Sequence, residues 1–485
     1  MNTIALILLP SLIALFVLPW ISQRLWAARI SAILATLSFV AASVLIYHVY
    51  HDPQPVFFLK RWFLCDRLST LFIGLNTFIT MTTSFYAISY FYHEPKEKLH
   101  LKVYRFYHTF FHLFTFSMLL VLLSNNIGVL WIAMELATIS SVVLVALYQT
   151  REALEAAWKY LILCGVGIGL ALLGTVIIYF TAQPLLSASE GLLWTSLLQV
   201  APQMSAKLLS IAFVFLFIGY GTKVGFFPLH NWLPDAHAEG PSPISALLSG
   251  LLLNIALFAI LRFKLILTQT SVNHFASLLL LLFGFANLLF AALSLLRQRK
   301  IKRLLAYSSI EHMGLASIAL SFGTPLGYLA GLLHMLMHSL SKTAAFFSSG
   351  AIIQRYHTQT ISQLRGLLSN TPLLGWCLLL STLAILGMPP SGLFISEMLL
   401  IIATLQVHPW LLIPLIISLI IAFMAILIKI QRMVFSKTPL SLPTIPKQQH
   451  LHWPILLHLS LVMLAGLWVP LFLLKPAMNV LLHGG

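Results

Sequence analysis

Residues 409–430 read PWLLIPLIISLIIAFMAILIKI, and no charge interrupts them before Lys429. An apolar run of about 20 residues is what an α-helix needs to cross a hydrocarbon core of about 30 Å. Runs of this kind recur along the chain, which is 59% hydrophobic and only 8% charged. A soluble domain carries about 25% charged residues and has no means of hiding so much apolar surface. Strand-type alternation is absent, so the backbone is expected to satisfy itself within helices rather than in a β-barrel. The run from Ile4 to Ile21 lacks a basic leader and a convincing cleavage site, and reads as a first span rather than a removed signal peptide.

The pattern predicts an all-α polytopic membrane protein with fourteen spans. They fall at 3–21, 30–50, 66–92, 108–124, 127–147, 160–181, 207–227, 242–262, 271–296, 304–322, 326–350, 375–405, 409–430 and 453–474. The longest polar stretch is 436–452, a Pro-containing linker. Two spans look interrupted. The seventh ends in Gly225-Phe226-Phe227-Pro228, with Pro234 beyond, and the twelfth carries Gly387-Met388-Pro389-Pro390-Ser391-Gly392 in its middle. Proline removes a backbone donor and glycine loosens the helix, so Pro228, Pro389 and Pro390 mark expected helix breaks. The breaks stand five spans apart, which makes spans 4–8 and 9–13 candidates for two inverted five-helix repeats. The alternative is two unrelated proline kinks. The resulting division is 1–107 (three helices), 108–262 (first repeat), 271–430 (second repeat) and 431–485 (linker and last helix).

The formal charge of +16 comes from 28 Lys and Arg against 12 Asp and Glu. In a greasy chain these cations belong to loops and set orientation rather than bind nucleic acid. With the N-terminus outside, the basic residues favour the inward loops by roughly three to one. Outward segments then hold Lys60, Arg61, Arg67, Arg262, Lys264 and Lys475. Both termini are therefore expected on the non-cytoplasmic side. Cys65, Cys164 and Cys377 are scattered without CxxC spacing, which argues against zinc or an iron–sulfur cluster.

A charge at mid-span costs about 2.5–3.5 kcal/mol on insertion scales, so each one asks for a reason. Glu135 lies in span 5, Lys223 just before the break in span 7, and Glu311 with His312 in span 10. His334, His338 and Lys342 lie in span 11, and Glu397 follows the break in span 12. Positions 334, 338 and 342 are four apart and stack on one helical face. Histidine both donates and accepts a proton near neutral pH, and a lysine in a low-dielectric site releases one more readily. An ion pair between Glu135 and Lys223 would hold the lysine charged, and separation would discharge it. Each residue also has a plainer reading: a buried histidine as a hydrogen-bonded packing residue, His334 with His338 as haem or metal ligands, Glu135 as a helix–helix hydrogen bond. So many ionisable groups in nearly charge-free spans point to a conducting role for the set.

At these residues the sequence resembles the antiporter-like family of membrane subunits. That family includes the pumping subunits of respiratory complex I, the large subunits of multi-subunit Na⁺/H⁺ antiporters and the membrane arms of hydrogenases. The resemblance covers roughly residues 65–435. It rests on Leu130-Trp131 through Glu135, Lys223 through Trp232-Leu233-Pro234-Asp235-Ala236-His237, Lys302-Arg303-Leu304-Leu305-Ala306-Tyr307-Ser308-Ser309, His338 through Lys342, and Gly387-Met388-Pro389 through Glu397. It implies that Glu135 and Lys223 form a coupled pair and that Glu397 ends a central proton path. His312, His338 and Lys342 would be links between them.

In span 8, where the family usually has lysine, this chain has Asn254, which bonds water but carries no proton charge. Asn254, the Glu311-His312-Met313-Gly314 run and Glu152 through Tyr160 resemble the hydrogenase-4 component F type. The resemblance implies a proton-translocating, non-redox subunit of a hydrogenase-4-like or complex I-related oxidoreductase in a bacterial inner membrane. Its partners would be other membrane and soluble subunits, the lipid bilayer and protons or Na⁺, with no cofactor, metal or nucleic acid of its own. The rival readings are a subunit of a Na⁺/H⁺ antiporter or inorganic-carbon uptake complex, and a membrane anchor whose path has decayed at Asn254.

Overall fold

The structure, a computed structural model, describes residues 3–52, 54–92, 94, 101–437 and 452–483. Most of the 436–452 linker lies outside the described residues. The helices are α1 (Thr3–Val17), α2 (Arg24–His51), α3 (Arg67–Tyr92), α4 (Leu101–Leu123), α5 (Ile127–Val145), α6 (Arg151–Ala182), α7 (Trp194–Val200), α8 (Ala206–Val224), α9 (Trp232–Glu239) and α10 (Ser242–Leu247). After a π turn at Leu248–Leu252 come α11 (Leu253–Thr268), α12 (Asn273–Leu296), α13 (Ile301–Ser321), α14 (Pro325–Tyr356), α15 (Leu367–Asn370), α16 (Pro372–Ile385), α17 (Gly392–Val407), α18 (Leu412–Phe435), α19 (Trp453–Leu467) and α20 (Leu471–His483). A small antiparallel hairpin, β1 (Val56–Phe58) and β2 (Phe63–Cys65), joins α2 to α3.

Among the described residues, ten helices or continuous helical stretches are long and apolar enough to cross a membrane, or eleven if α19 and α20, bent by 77°, form one span. The chain is thus an all-α polytopic membrane protein. α13 and α14 fall short of that apolar standard although they have 21 and 32 residues. The reason is their cargo of serines, histidines, lysines and Glu311, all buried inside the bundle.

Burial sorts the helices into centre and rim. The stretch from Ser242 to Leu267 is wholly buried. By contrast, α18, built from the apolar run that identifies the protein as membranous, exposes Ile413, Ile417 and Ile420 by more than half. Helix starts follow ordinary capping chemistry. The Asn126 side chain accepts from the Gly128 and Val129 amides at α5, and Thr324 accepts from Gly327 at α14, where Pro325 takes the position that needs no donor.

Two basic residues assigned to an outward segment, Arg262 at the end of span 8 and Lys264 just past it, lie inside α11. Arg262 and Lys264 are 3% and 2% exposed. Arg262 makes a two-pronged ion pair with Asp66, at 2.6 and 2.8 Å, and lies over the rings of Trp194 and Phe258. Lys264 Nζ donates to the Leu320 carbonyl at 2.7 Å. The apolar pattern hides such positions because a long side chain satisfied by a neighbouring helix leaves no gap in the local periodicity.

Candidate functional site

The first break begins where Gly225, at φ +83°, caps α8. That left-handed turn favours glycine. The backbone freed by the turn finds partners on other elements. The Phe227 amide donates to Asn287 Oδ1 on α12 at 2.5 Å, and Asn287 Nδ2 donates to the Ile310 carbonyl at 3.3 Å. Trp232 Nε1 donates to the Thr222 carbonyl at 2.8 Å, and its indole stacks on Tyr160 at 4.3 Å. Irregular backbone at membrane depth needs such cover. Beyond the break, Asp235 pairs with Arg303 at 2.6 Å, and Lys302 Nζ donates to the Gly240 carbonyl at 2.5 Å. The two sequence motifs that contain these residues therefore form one structural unit, the first on α9 and the second at the start of α13. The second break separates α16 from α17. Gly387 turns at φ +61°, and Ser391 Oγ accepts from the Phe394 amide as α17 restarts.

Lys223, fully buried near the end of α8, donates from Nζ to Thr138 Oγ1. Thr138 Oγ1 in turn stands 3.4 Å from Glu135 Oε2. The expected direct pair is thus mediated: a hydroxyl sits between carboxylate and ammonium, and the two are not among the ion pairs of the described residues. Glu135 is half-buried and shares its side of α5 with the exposed Ile132 and Ile139.

Asn254 Nδ2 donates to Ser339 Oγ at 2.6 Å and to the Met335 carbonyl at 3.0 Å. Its Oδ1 is buried without a partner. Met335 and Ser339 each follow one of the α14 histidines, His334 and His338, so Asn254 grips the neighbouring stripe of that helix. Lys342, one turn beyond His338, donates to the Leu305 carbonyl at 3.0 Å and to Ser308 Oγ. Ser309, next in line on α13, shares a 2.7 Å hydrogen bond with Ser249 of the π turn. Glu311, 5% exposed, lies within electrostatic reach of Lys342.

Three histidines close the row. The His312 ring lies 5.3 Å from His338 and 5.1 Å from His334. His312 Nδ1 and His334 Nε2 are 3.0 Å apart, and His334 Nδ1 is 3.0 Å from Ser396 Oγ on α17. Both ring nitrogens of His338 are buried without partners. Glu397 adjoins this group, and ligand atoms of His312, His334 and Glu397 all lie within 4.8 Å of one another. That set, rather than His334 with His338, is the one with the spacing to hold a cation. The His312–His334 and His334–Ser396 contacts are donor–acceptor pairs suited to passing a proton. Glu397 packs against the Gly387 turn and keeps partial exposure on the side of the chain.

Sequence reasoning passed over Thr138, Ser249, Asn287 and Ser396. Serine and threonine in apolar helices are common and give no periodic signal. The spacing of Thr138 three residues after Glu135, which puts both on one helical face, is the sign that was available. His237, buried in α9 with neither ring nitrogen paired, stands in a quoted motif without a role assigned to it.

A helical membrane bundle with two helix breaks and a largely buried row of carboxylates, lysines and histidines has the build of the antiporter-like class of membrane subunits. Residues 124–425 match the family described as NADH:quinone oxidoreductase/Mrp antiporter, TM, and the chain belongs to that family. It is 46% identical over 475 residues to the hydrogenase-4 component F homolog of Methylacidiphilum infernorum, covering 97% of each chain. It is 32% identical to NADH-quinone oxidoreductase subunit M of Pseudomonas aeruginosa, over 59% of this chain and 55% of that one. A subunit of the archaeal membrane-bound sulfane sulfur reductase superposes with a TM-score of 0.89 at 25% identity, covering 99% and 98% of the two chains. A subunit of Thermus thermophilus respiratory complex I shares the fold with a TM-score of 0.81 at 23% identity, covering 99% and 100%.

Proposed function

We propose that this protein is the proton-translocating membrane subunit of a hydrogenase-4-like oxidoreductase complex, with the redox chemistry done by partner subunits. The observation that carries the reading is the hydrogen-bonded series His312–His334–Ser396 beside Glu397, approached through Lys342 and His338. Histidine pairs at 3.0 Å hand on a proton by exchanging donor and acceptor roles. At the other end, the Thr138 hydroxyl couples Glu135 to Lys223. A shift of a partner against the half-exposed Glu135 changes the field at Lys223, and protons then move through Lys342 and His338 to Glu397. Serine hydroxyls and water around Ser249 and Ser309 serve the stretch where Asn254 offers no charge. The fourteen-span count, the inverted repeats over spans 4–8 and 9–13, and an inner-membrane setting with both termini outside the cytoplasm belong to the same proposal.

The test is Lys223→Ala in the reconstituted complex, with proton uptake into liposomes followed by a pH-sensitive dye and electron transfer assayed separately. Uptake is expected to fall to the leak level while soluble hydrogen or formate oxidation continues. Wild-type uptake in that variant would remove Lys223 from the path. Uptake of radioactive sodium in place of protons would favour the antiporter reading.

A further inference from the structure

Away from the polar axis, the hairpin end of the molecule carries a cavity of about 460 Å³ with an uneven distribution of charge. Its walls are mixed, with Val49 of α2, Leu64 of the hairpin, Leu198 of α7 and Val480 of α20 beside the polar Gln54, Gln199 and Asn479. Arg61 and Arg67 line it as well. The one carboxylate in the lining, Asp66, is already taken. It accepts two bonds from Arg262, at 2.6 and 2.8 Å, and one from the Ser69 amide at 2.8 Å. Neither Arg61 nor Arg67 is among the ion pairs of the described residues. Arg67 is partly buried, and its Nε is enclosed without an acceptor. Among the described residues the Arg61 guanidinium makes one hydrogen bond, donated to Thr195 Oγ1 at 3.2 Å, and it lies over the Phe57 ring. Its position is held by three consecutive non-glycine residues in left-handed backbone, Leu59, Lys60 and Arg61, at φ +48°, +49° and +68°. A buried guanidinium nitrogen without an acceptor is unfavourable, so the site calls for an anion.

A second cavity of about 390 Å³ lies next along the same helices, on the far side of the Tyr50 hydroxyl, which donates to the Leu473 carbonyl at 2.9 Å, and it is almost purely apolar. On α3 the first cavity takes Arg67, and the second takes Thr70, Leu71, Gly74 and Phe78. From Arg67 to Phe78 the helix descends about 16 Å at 1.5 Å per residue, which is about half the thickness of a hydrocarbon core. Its far wall includes the bend between α19 and α20, where Trp468 is 68% exposed. An exposed tryptophan of this kind is typical of a membrane interface. A charged mouth above an apolar cleft one leaflet deep has the dimensions of a single phospholipid. Free phosphate has no use for the cleft, and a peptide would bring backbone polar groups that nothing there satisfies.

We propose that this double cavity is a binding site for an anionic phospholipid, its phosphate between Arg61 and Arg67 and one acyl chain along α3 towards Phe78. Arginine suits phosphate because its planar fork meets two oxygens at once. Two cations without counterions select a headgroup of net negative charge over a zwitterionic one. The site is independent of the ion path.

The test uses the intact complex purified in mild detergent. Phosphatidylglycerol retained by wild type is compared with that retained by Arg61→Gln/Arg67→Gln and by Leu71→Trp, which fills the apolar cleft. After delipidation, thermal unfolding is followed with added phosphatidylglycerol, phosphatidylcholine or inorganic phosphate. Wild type is expected to retain phosphatidylglycerol and to be stabilised by it at concentrations about tenfold or more below phosphatidylcholine, with no effect of phosphate alone. Both variants should lose the retained lipid while still assembling. Equal retention by the arginine variant, equal action of phosphatidylcholine, or equal stabilisation by phosphate would each overturn the proposal. So would loss of a partner subunit, rather than lipid, from the arginine variant.

Discussion

Lys342 offers a way to separate a residue held for chemistry from one held for architecture. Its ammonium group is fully buried in α14, donates to the Leu305 carbonyl and to Ser308 Oγ, and is in no ion pair among the described residues. Lys342→Met keeps the length of the side chain and removes the charge. The insertion penalty relieved is about 2.5–3.5 kcal/mol, and the two charged hydrogen bonds lost are worth about 1.5 kcal/mol each at the lower end of their range. No acceptor is stranded, because the Ser308 and Ser309 hydroxyls both donate to Leu305, each at 3.0 Å. Stability is therefore expected to stay within about 1 kcal/mol of wild type, whereas breaking a structural buried ion pair costs about 3–5 kcal/mol. Proton uptake should fall to the leak level, since methionine neither gives nor takes a proton. The assay pairs liposome uptake with the unfolding midpoint of the complex in a denaturing detergent. Destabilisation of the size of a broken ion pair, or uptake at the wild-type rate, would refute the reasoning.

Further variants probe the frame around the path. Asp66→Asn or Arg262→Met alone should destabilise the chain by about 3–5 kcal/mol, and the double variant by much less, because only the singles strand a buried partner. Burial by itself would raise the Asp66 pKa, but the charge and hydrogen bonds of Arg262 outweigh it and hold the carboxyl below its ordinary value. The contribution of the pair is thus fully present above the ordinary Asp pKa of about 3.9 and is lost as pH falls through the depressed value. In Arg262→Met burial is opposed only by the Ser69 hydrogen bonds, and acid unfolding should begin at higher pH, which an acid titration of the unfolding midpoint will check. Gly387→Ala places a methyl against the Glu397 carboxylate from a left-handed turn, so Glu397 must move. Proton uptake should drop by about tenfold or more, and an unchanged rate would mean that the turn does not position Glu397.

The sequence by itself determined the class of the protein and the ends of its polar row. Apolar runs of spanning length leave α-helices as the only solution, and charges at mid-span stand out because there are so few. Glu135, Lys223, Lys342 and Glu397 were legible for that reason, and so were the breaks at Gly225 and Gly387. The family relationship was carried by motifs around the same residues. Hydropathy gave a fuller count of spans than the apolar helices of the structure supply, since α13 and α14 trade hydropathy for buried chemistry and the expected twelfth span is divided into the short α16 and α17. What only the tertiary structure decided is who meets whom. Thr138 stands between Glu135 and Lys223, His312 bonds His334 as well as lying beside His338, and Arg262 pairs with Asp66. A hydrogen bond across 22 or 196 residues of separation leaves no periodic trace in the chain. It follows from how the helices cross, and that is set by side-chain packing over the whole bundle.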